Sequence, residues 1–71
     1  MEIGHIFIID GEEYCICDIK MYGNHKFAYT ISGENEQAKI KFFELIDDDK
    51  GTLMNEVISD DLIGELIPLF L

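Results

Sequence analysis

A chain of 71 residues is long enough for one small domain with a limited core. Hydrophobic residues make up 48% of it, which excludes a disordered acidic tail, and no apolar run reaches the roughly 20 residues of a membrane span. Five lysines, no arginine and a net charge of −10 exclude nucleic acid and anionic lipid as partners, because both carry negative charge.

The N-terminal region predicts a cytoplasmic protein. Its apolar stretch, Ile6 to Ile9, is too short for a signal peptide, has no basic residue before it, and is followed at once by Asp10. The two cysteines, Cys15 and Cys17, stand one residue apart and give no disulfide framework for secretion.

Turn-forming residues divide most of the chain into runs of strand length. The first run, His5 to Ile9, is apolar on both faces. The second, Glu12 to Tyr22, alternates, and the alternation predicts one shared face for Cys15, Cys17, Ile19 and Met21. Gly23 and Asn24 then predict a hairpin turn, since both residues tolerate positive φ.

The third run, His25 to Ser32, alternates most regularly and predicts a core face of Phe27, Tyr29 and Ile31. A polar loop from Ser32 to Gln37 follows. In the fourth run, Ala38 to Ile46, the alternation fails at Phe43, which either a β-bulge or a strand buried on both faces would explain. An acidic turn, Asp47 to Gly51, leads to the fifth run, Thr52 to Ile58.

The C-terminal segment changes to a helical period. Apolar residues at 62, 63, 66, 67 and 70 form one stripe, Ser59 is a suitable N-cap, and Asp60 and Asp61 complement the helix dipole. Pro68 lacks an N–H and would collide with the Gly64 carbonyl. The regular helix is therefore predicted to end or kink near Ile67.

These elements predict an α+β fold that is mainly antiparallel β. Four or five strands form a twisted sheet or partial barrel, and one helix from about Ser59 packs on it, all within a single domain of residues 1–71. The predicted core comprises Cys17, Ile19, Phe27, Tyr29, Ile31, Leu62, Leu66 and Ile67.

The sequence offers one candidate site for chemistry. Cys15 and Cys17, joined by His5 and His25, could form a zinc site or a redox centre, which defines the alternative function of a small metal-binding or redox protein. Packing of reduced cysteines in the core is the favoured interpretation, because zinc sites space cysteines C-x₂₋₄-C around a turn. The chain has no motif for nucleophilic catalysis or phosphate binding, so neither an enzyme nor a cofactor is predicted.

The favoured function is a small acidic protein-binding or regulatory module. Its predicted interaction face consists of the acidic residues Glu12, Glu13, Asp18, Asp47, Asp48, Asp49, Asp60 and Asp61. Such a field would attract a basic protein partner, although the same charge also serves solubility. A weak homodimer is also predicted, formed through unpaired strand edges and tightening as salt screens the repulsion.

The order of these segments resembles the YrzB-like family of small acidic proteins of Gram-positive bacteria. The matching stretches are Gly11 to Tyr14 before the long strand, Tyr22 to Tyr29, Phe42 to Leu45, and Val57 to Leu62 at the start of the helix. The resemblance implies a β-sheet with a C-terminal helix and a cytoplasmic setting, and it supplies no functional residues.

Overall fold

The computed structural model describes residues 2–33 and 38–71 as five strands and one helix. Most of the loop predicted between Ser32 and Gln37 lies outside these residues. The elements are β1 (Ile6–Ile9), β2 (Glu12–Tyr22), β3 (His25–Ser32), β4 (Lys39–Asp48), β5 (Gly51–Glu56) and α1 (Asp60–Phe70).

The strands form one antiparallel sheet in the order β1-β2-β3-β4-β5. The predicted hairpin between β2 and β3 is confirmed: Tyr22 pairs with His25, and Gly23 and Asn24 between them have φ of 56° and 68°. Positive φ at both central residues matches the right-handed twist of the flanking strands. This connection of two residues therefore keeps β2 and β3 adjacent in the sheet.

The sheet curls into a half barrel. Phe7 on β1 and Phe43 on β4 lie three strand spacings apart, which would be about 14 Å in a flat sheet. Their ring centroids are nevertheless 5.5 Å apart, and Tyr14 stacks on Phe7 at 5.6 Å. The curl, together with one C-terminal helix, confirms the predicted α+β architecture with a mainly antiparallel sheet.

The concave inner face holds the first core cluster, in which Ile16, Ala28, Phe43 and Leu45 are buried. The Thr30 hydroxyl, also buried, donates a hydrogen bond of 2.9 Å to the backbone carbonyl of Lys41. A buried hydroxyl without such an acceptor would be costly, so this bond removes the penalty. The curl of the strands alone thus closes the inner core.

The convex outer face holds the second core cluster, which the helix covers. Leu66 is fully buried against Phe27, Phe42 and Val57. The ring of Phe70 lies 5.5 Å from that of Phe42. Both faces of β4 are therefore buried, and its pairing shows no register shift. Burial on both faces, rather than a bulge, explains the failed alternation.

The bulge lies instead in β2, where the sequence predicted unbroken alternation. Pairing with β3 shifts between Ile16 and Asp18 and leaves Cys17 as the extra residue. Because one extra residue reverses the parity of a strand, Cys15 lies on the outer face and Ile19 on the inner one. The predicted shared face was wrong, and so was the predicted burial of Cys17, which is exposed.

The helix also departs from prediction at its end. It continues through Pro68 to Phe70, and the Leu71 N–H donates to the Ile67 carbonyl at 2.8 Å. Proline removes a single helical hydrogen bond, while Leu69 and Phe70 gain contacts with the outer cluster. Ile67 lies at the edge of the helix, beside Phe42 and Val57, and is 44% exposed, so its predicted burial was wrong.

The remaining core predictions divide into two groups. Phe27 and Leu66 are buried as predicted. The other predicted core residues are half-buried: Ile19, Tyr29, Ile31 and Leu62.

Candidate binding surface

The acidic residues singled out from the sequence lie in several places. Glu12 and Glu13 begin β2, whereas Asp47 to Asp49 lie at the opposite end of the sheet, where β4 turns into β5. The intervening strand β3 has eight residues, which corresponds to roughly 26 Å. Asp60 and Asp61 form the first turn of the helix, and Asp18 follows the bulge in β2.

Lysines neutralise several of these carboxylates. Lys39 Nζ lies 2.9 Å from Glu12, and Lys26 Nζ lies 3.0 Å from Asp47. The hydrogen bond and charge of Lys39 lower the pKa of Glu12, and the Thr52 hydroxyl, followed by Lys26, lowers the pKa of Asp47. Both pairs face solvent, so each contributes little to stability.

Two further lysines are also engaged. Lys41 Nζ lies 3.2 Å from Glu56 and 5.4 Å from the centre of the Tyr14 ring. Its pKa is raised by Tyr14 and Glu56. Lys20 Nζ is 3.9 Å from Asp18. Lysine charge is thereby largely used within the protein.

The other carboxylates point to solvent without such neutralisation. Within residues 2–33 and 38–71, the exposed acidic residues that form no ion pair are Glu2, Asp10, Glu13, Asp48, Asp49, Asp60, Asp61 and Glu65. The negative charge presented to a partner therefore comes from this set. It overlaps only in part with the interaction face predicted from the sequence.

The structure brings three residues of the alternative site near one another and separates the fourth. His5 lies opposite Ile16, between Cys15 and Cys17, because the Ile16 N–H donates a hydrogen bond of 2.9 Å to the His5 carbonyl. His25 lies at the start of β3, and its Nδ1 is 2.7 Å from Glu44 Oε2. It pairs with Tyr22, five residues beyond Cys17 on β2, or roughly 16 Å along an extended strand. The described part of the chain holds no group of three or more His, Cys, Asp or Glu placed to bind a metal.

The two thiols are free and differ in setting. Cys15 is half-buried on the outer face, while Cys17 is exposed on the bulge. Partial desolvation, Cys15 and Asp18 raise the pKa of Cys17, so it carries less thiolate than an ordinary cysteine at neutral pH.

The outer face carries an apolar row that the sequence pattern did not predict. Cross-strand pairs join Ile6 to Cys15, Cys15 to Ile31, and Ile31 to Ile40, so four apolar side chains stand side by side on four strands. We call these residues the outer row. Ile6 is 57% exposed and Ile40 is 51% exposed, because the helix lies beside the row rather than over it.

Two hollows adjoin the outer row. The first, of about 490 Å³, is lined by Ile6, Cys15 and Ile31 of the row together with polar residues that include Glu12, Glu13 and Ser32. The second is a groove of about 360 Å³ between the helix and β4, and its apolar lining consists of Ile40, Phe42, Val57, Ile63, Ile67 and Leu71. A parity switch in β2, from Tyr14 and Ile16 to Ile19 and Met21, was the sequence signal that could have revealed the row.

At eleven residues, α1 falls short of a membrane-spanning length, and the described chain contains no helix that could cross a bilayer. Comparison with protein-family models, with curated proteins and with solved structures found no match.

Proposed function

We propose that this protein is a small binding module that acts without catalysis and docks a basic protein partner. The observation that carries the proposal is the uneven use of charge. Most lysines form ion pairs with carboxylates of the protein. Within the described residues, exposed carboxylates such as Glu13, Asp49 and Asp60 form no ion pair.

Such a charge distribution favours encounter with a cationic surface. A net charge of −10 on a molecule of 71 residues produces a long-range attraction that raises association rates. The attraction between exposed charges is screened over about 8 Å at physiological ionic strength. Binding of a basic partner should consequently weaken as salt is added.

Affinity capture from a cell lysate at low and high salt tests the proposal. The immobilised protein is compared with a variant carrying Glu13→Gln, Asp60→Asn and Asp61→Asn, whose exposed side chains make no core contacts. We expect basic proteins to be recovered at low salt, lost at high salt, and reduced with the variant. Recovery of the same proteins by both forms, or of none that is basic, would contradict the proposal.

Two further proposals concern setting and kinship. We propose a cytoplasmic location, which the free thiols of Cys15 and Cys17 support because reducing compartments keep thiols unpaired. We also propose membership of the YrzB-like family, on the succession of segments described from the sequence.

Weak self-association is proposed as a separate property of the β1 edge. Edge strands commonly resist pairing by carrying charged residues or proline. The β1 strand, Ile6 to Ile9, contains neither. Sedimentation equilibrium at low and high salt measures it. A dimer that tightens with salt is expected, because charge opposes association, and a monomer at both salts would contradict it.

A further inference from the structure

The outer row and the helix groove form one continuous apolar surface. Ile31 belongs to the first hollow and Ile40 to the second, and the two residues are direct cross-strand partners. The row itself spans three strand spacings, about 14 Å. On the helix, Ile63, Ile67 and Leu71 continue the surface for eight residues, about 12 Å.

No described residue covers this surface, although the chain buries similar residues elsewhere. Ile6, Ile40, Ile67 and Leu71 are between 44% and 70% exposed. An isolated exposed isoleucine is ordinary, but adjoining apolar residues that line hollows are typical of binding sites.

Acidic residues stand at both ends of the apolar surface. At the first end, Glu13 lines the hollow, pairs with Ile8 in the sheet, and forms no ion pair within the described residues. At the other end, Asp60 is exposed, forms no ion pair within the described residues, and precedes Ile63 and Ile67 at the spacing of one helix side.

The lysines do not reverse this charge. Lys41 lines the groove, but its ammonium is engaged by Glu56. Lys39 pairs with Glu12 on the inner face. The surface is therefore apolar in the middle and acidic at its ends.

We infer that this surface binds a segment of a partner protein whose apolar middle is flanked at both ends by lysine or arginine. The apolar side chains cover the outer row and the groove, and the flanking cations meet Glu13 at one end and Asp60 at the other. The inference rests on the proposed function and adds to it the docking surface and the class of segment. A second copy of this chain fits poorly, because it would bring a further −10 of charge and acidic ends to the same place.

A titration with a synthetic nonapeptide tests the inference. The peptide has five alternating leucines and valines flanked by two lysines at each end, and the control peptide carries glutamates in place of the lysines. Binding is followed by the amide resonances of the ¹⁵N-labelled protein, which show both affinity and location. We expect saturable binding of the lysine peptide only, with shifts on the outer row and the helix groove, and weaker binding at high salt.

Matched variants locate the site. Ile40→Glu places a charge in the middle of the surface, whereas Leu53→Glu makes the same change at a residue of similar exposure on β5, 55% against 51%, outside both hollows. We expect Ile40→Glu to weaken binding by about tenfold or more and Leu53→Glu by less than about twofold. Dispersed amide spectra of both variants confirm that they remain folded.

Other outcomes overturn the inference in distinguishable ways. Equal effects of the two variants, or the absence of saturable binding, would overturn the placement, while the capture experiment decides the proposed function independently. Shifts of the Ile40, Ile63 and Ile67 resonances with rising protein concentration alone, which pairing through the β1 edge would not cause, would assign the surface to a second copy and would also overturn the inference.

Discussion

The outer face of the sheet has two halves that differ in what covers them. In the first half, Phe27 and Phe42 lie under the helix and are at most 4% exposed. In the second, Ile40 lies on the same strand as Phe42 and Ile6 lies on β1, yet each is more than half exposed. An eleven-residue helix is about 16 Å long and cannot cover a sheet of five strands. Burial in a hydrophobic core therefore explains the apolar residues of the first half but not those of the second.

The largest expected effect comes from removing the helix residue that covers the first half. Leu66→Ala should lower the free energy of unfolding by about 2–5 kcal/mol, because a fully buried side chain leaves a cavity. The adjacent substitution Ile67→Ala is the matched control, and it should cost less than about 1 kcal/mol, since the side chain is 44% exposed. Urea unfolding measures both. Equal losses would break the distinction between the buried and the exposed apolar residues of the helix.

A smaller effect is expected at the proline inside the helix. Pro68→Ala should raise the free energy of unfolding by roughly 1 kcal/mol, because it restores the N–H that can donate to the Gly64 carbonyl. The gain stays below the full helix-propensity difference because the last turn is already held by Phe70. Thermal unfolding followed by circular dichroism measures the change. A lower free energy of unfolding in the variant would show that the packing of the helix on the sheet depends on the shape of the proline ring.

The pH dependence of stability distinguishes the inner face of the sheet from the outer one. Ion pairs lie at both ends of the inner face, Lys39 with Glu12 at one end and Lys26 with Asp47 at the other. The pKa values of Glu12 and Asp47 are lowered, so their contribution is present above about pH 4.5 and is lost as the pH falls through the lowered values. Glu12→Gln should therefore reduce the difference between the free energies of unfolding at pH 7 and at pH 3. Urea unfolding at the two pH values, with Glu13→Gln as the control, checks this. An unchanged difference would mean that the Lys39 pair contributes nothing.

The smallest effect distinguishes the two thiols. Cys17 should react with a thiol reagent in the native protein because it is exposed, although its raised pKa slows the reaction at neutral pH. Cys15 is half-buried in the outer row and should react more completely only after denaturant is added. Titration of Cys15→Ser and Cys17→Ser separates the two. If Cys15 reacted faster than Cys17 in the native protein, the uncovered half of the outer face would open further than the exposure of Cys15 indicates.

Much of the fold was predictable because turn residues mark its boundaries. The bounds of β2 and β3 follow from the turns at Asp10-Gly11 and Gly23-Asn24, both of which adopt positive φ. The helix start follows from Ser59, whose hydroxyl accepts a hydrogen bond from the Leu62 N–H. Such signals are local, and sequence inspection detects them directly.

The outer row was not predictable in the same way. It depends on the registers of four strands and on one bulge, and the alternation through Cys15, Cys17 and Ile19 masked the change of parity between Ile16 and Ile19. Its exposure depends also on where the helix lies, which the residues of the row do not encode. The acidic residues were visible in the sequence, but ion pairs such as Lys39 with Glu12 arise only when distant strands are paired.

The sequential strand order has a consequence for how the chain folds. Every strand pairs with its neighbour in sequence, and three of the connections have two residues each, so closing these loops costs little chain entropy. Folding rates fall as contacts become more distant along the chain, and a meander keeps them close. Successive hairpins can therefore form in any order. The packing of α1 onto β3 and β4 joins residues that are farther apart in the chain, so it is the slowest contact to form. We expect this docking step, rather than sheet formation, to set the rate at which the native state appears.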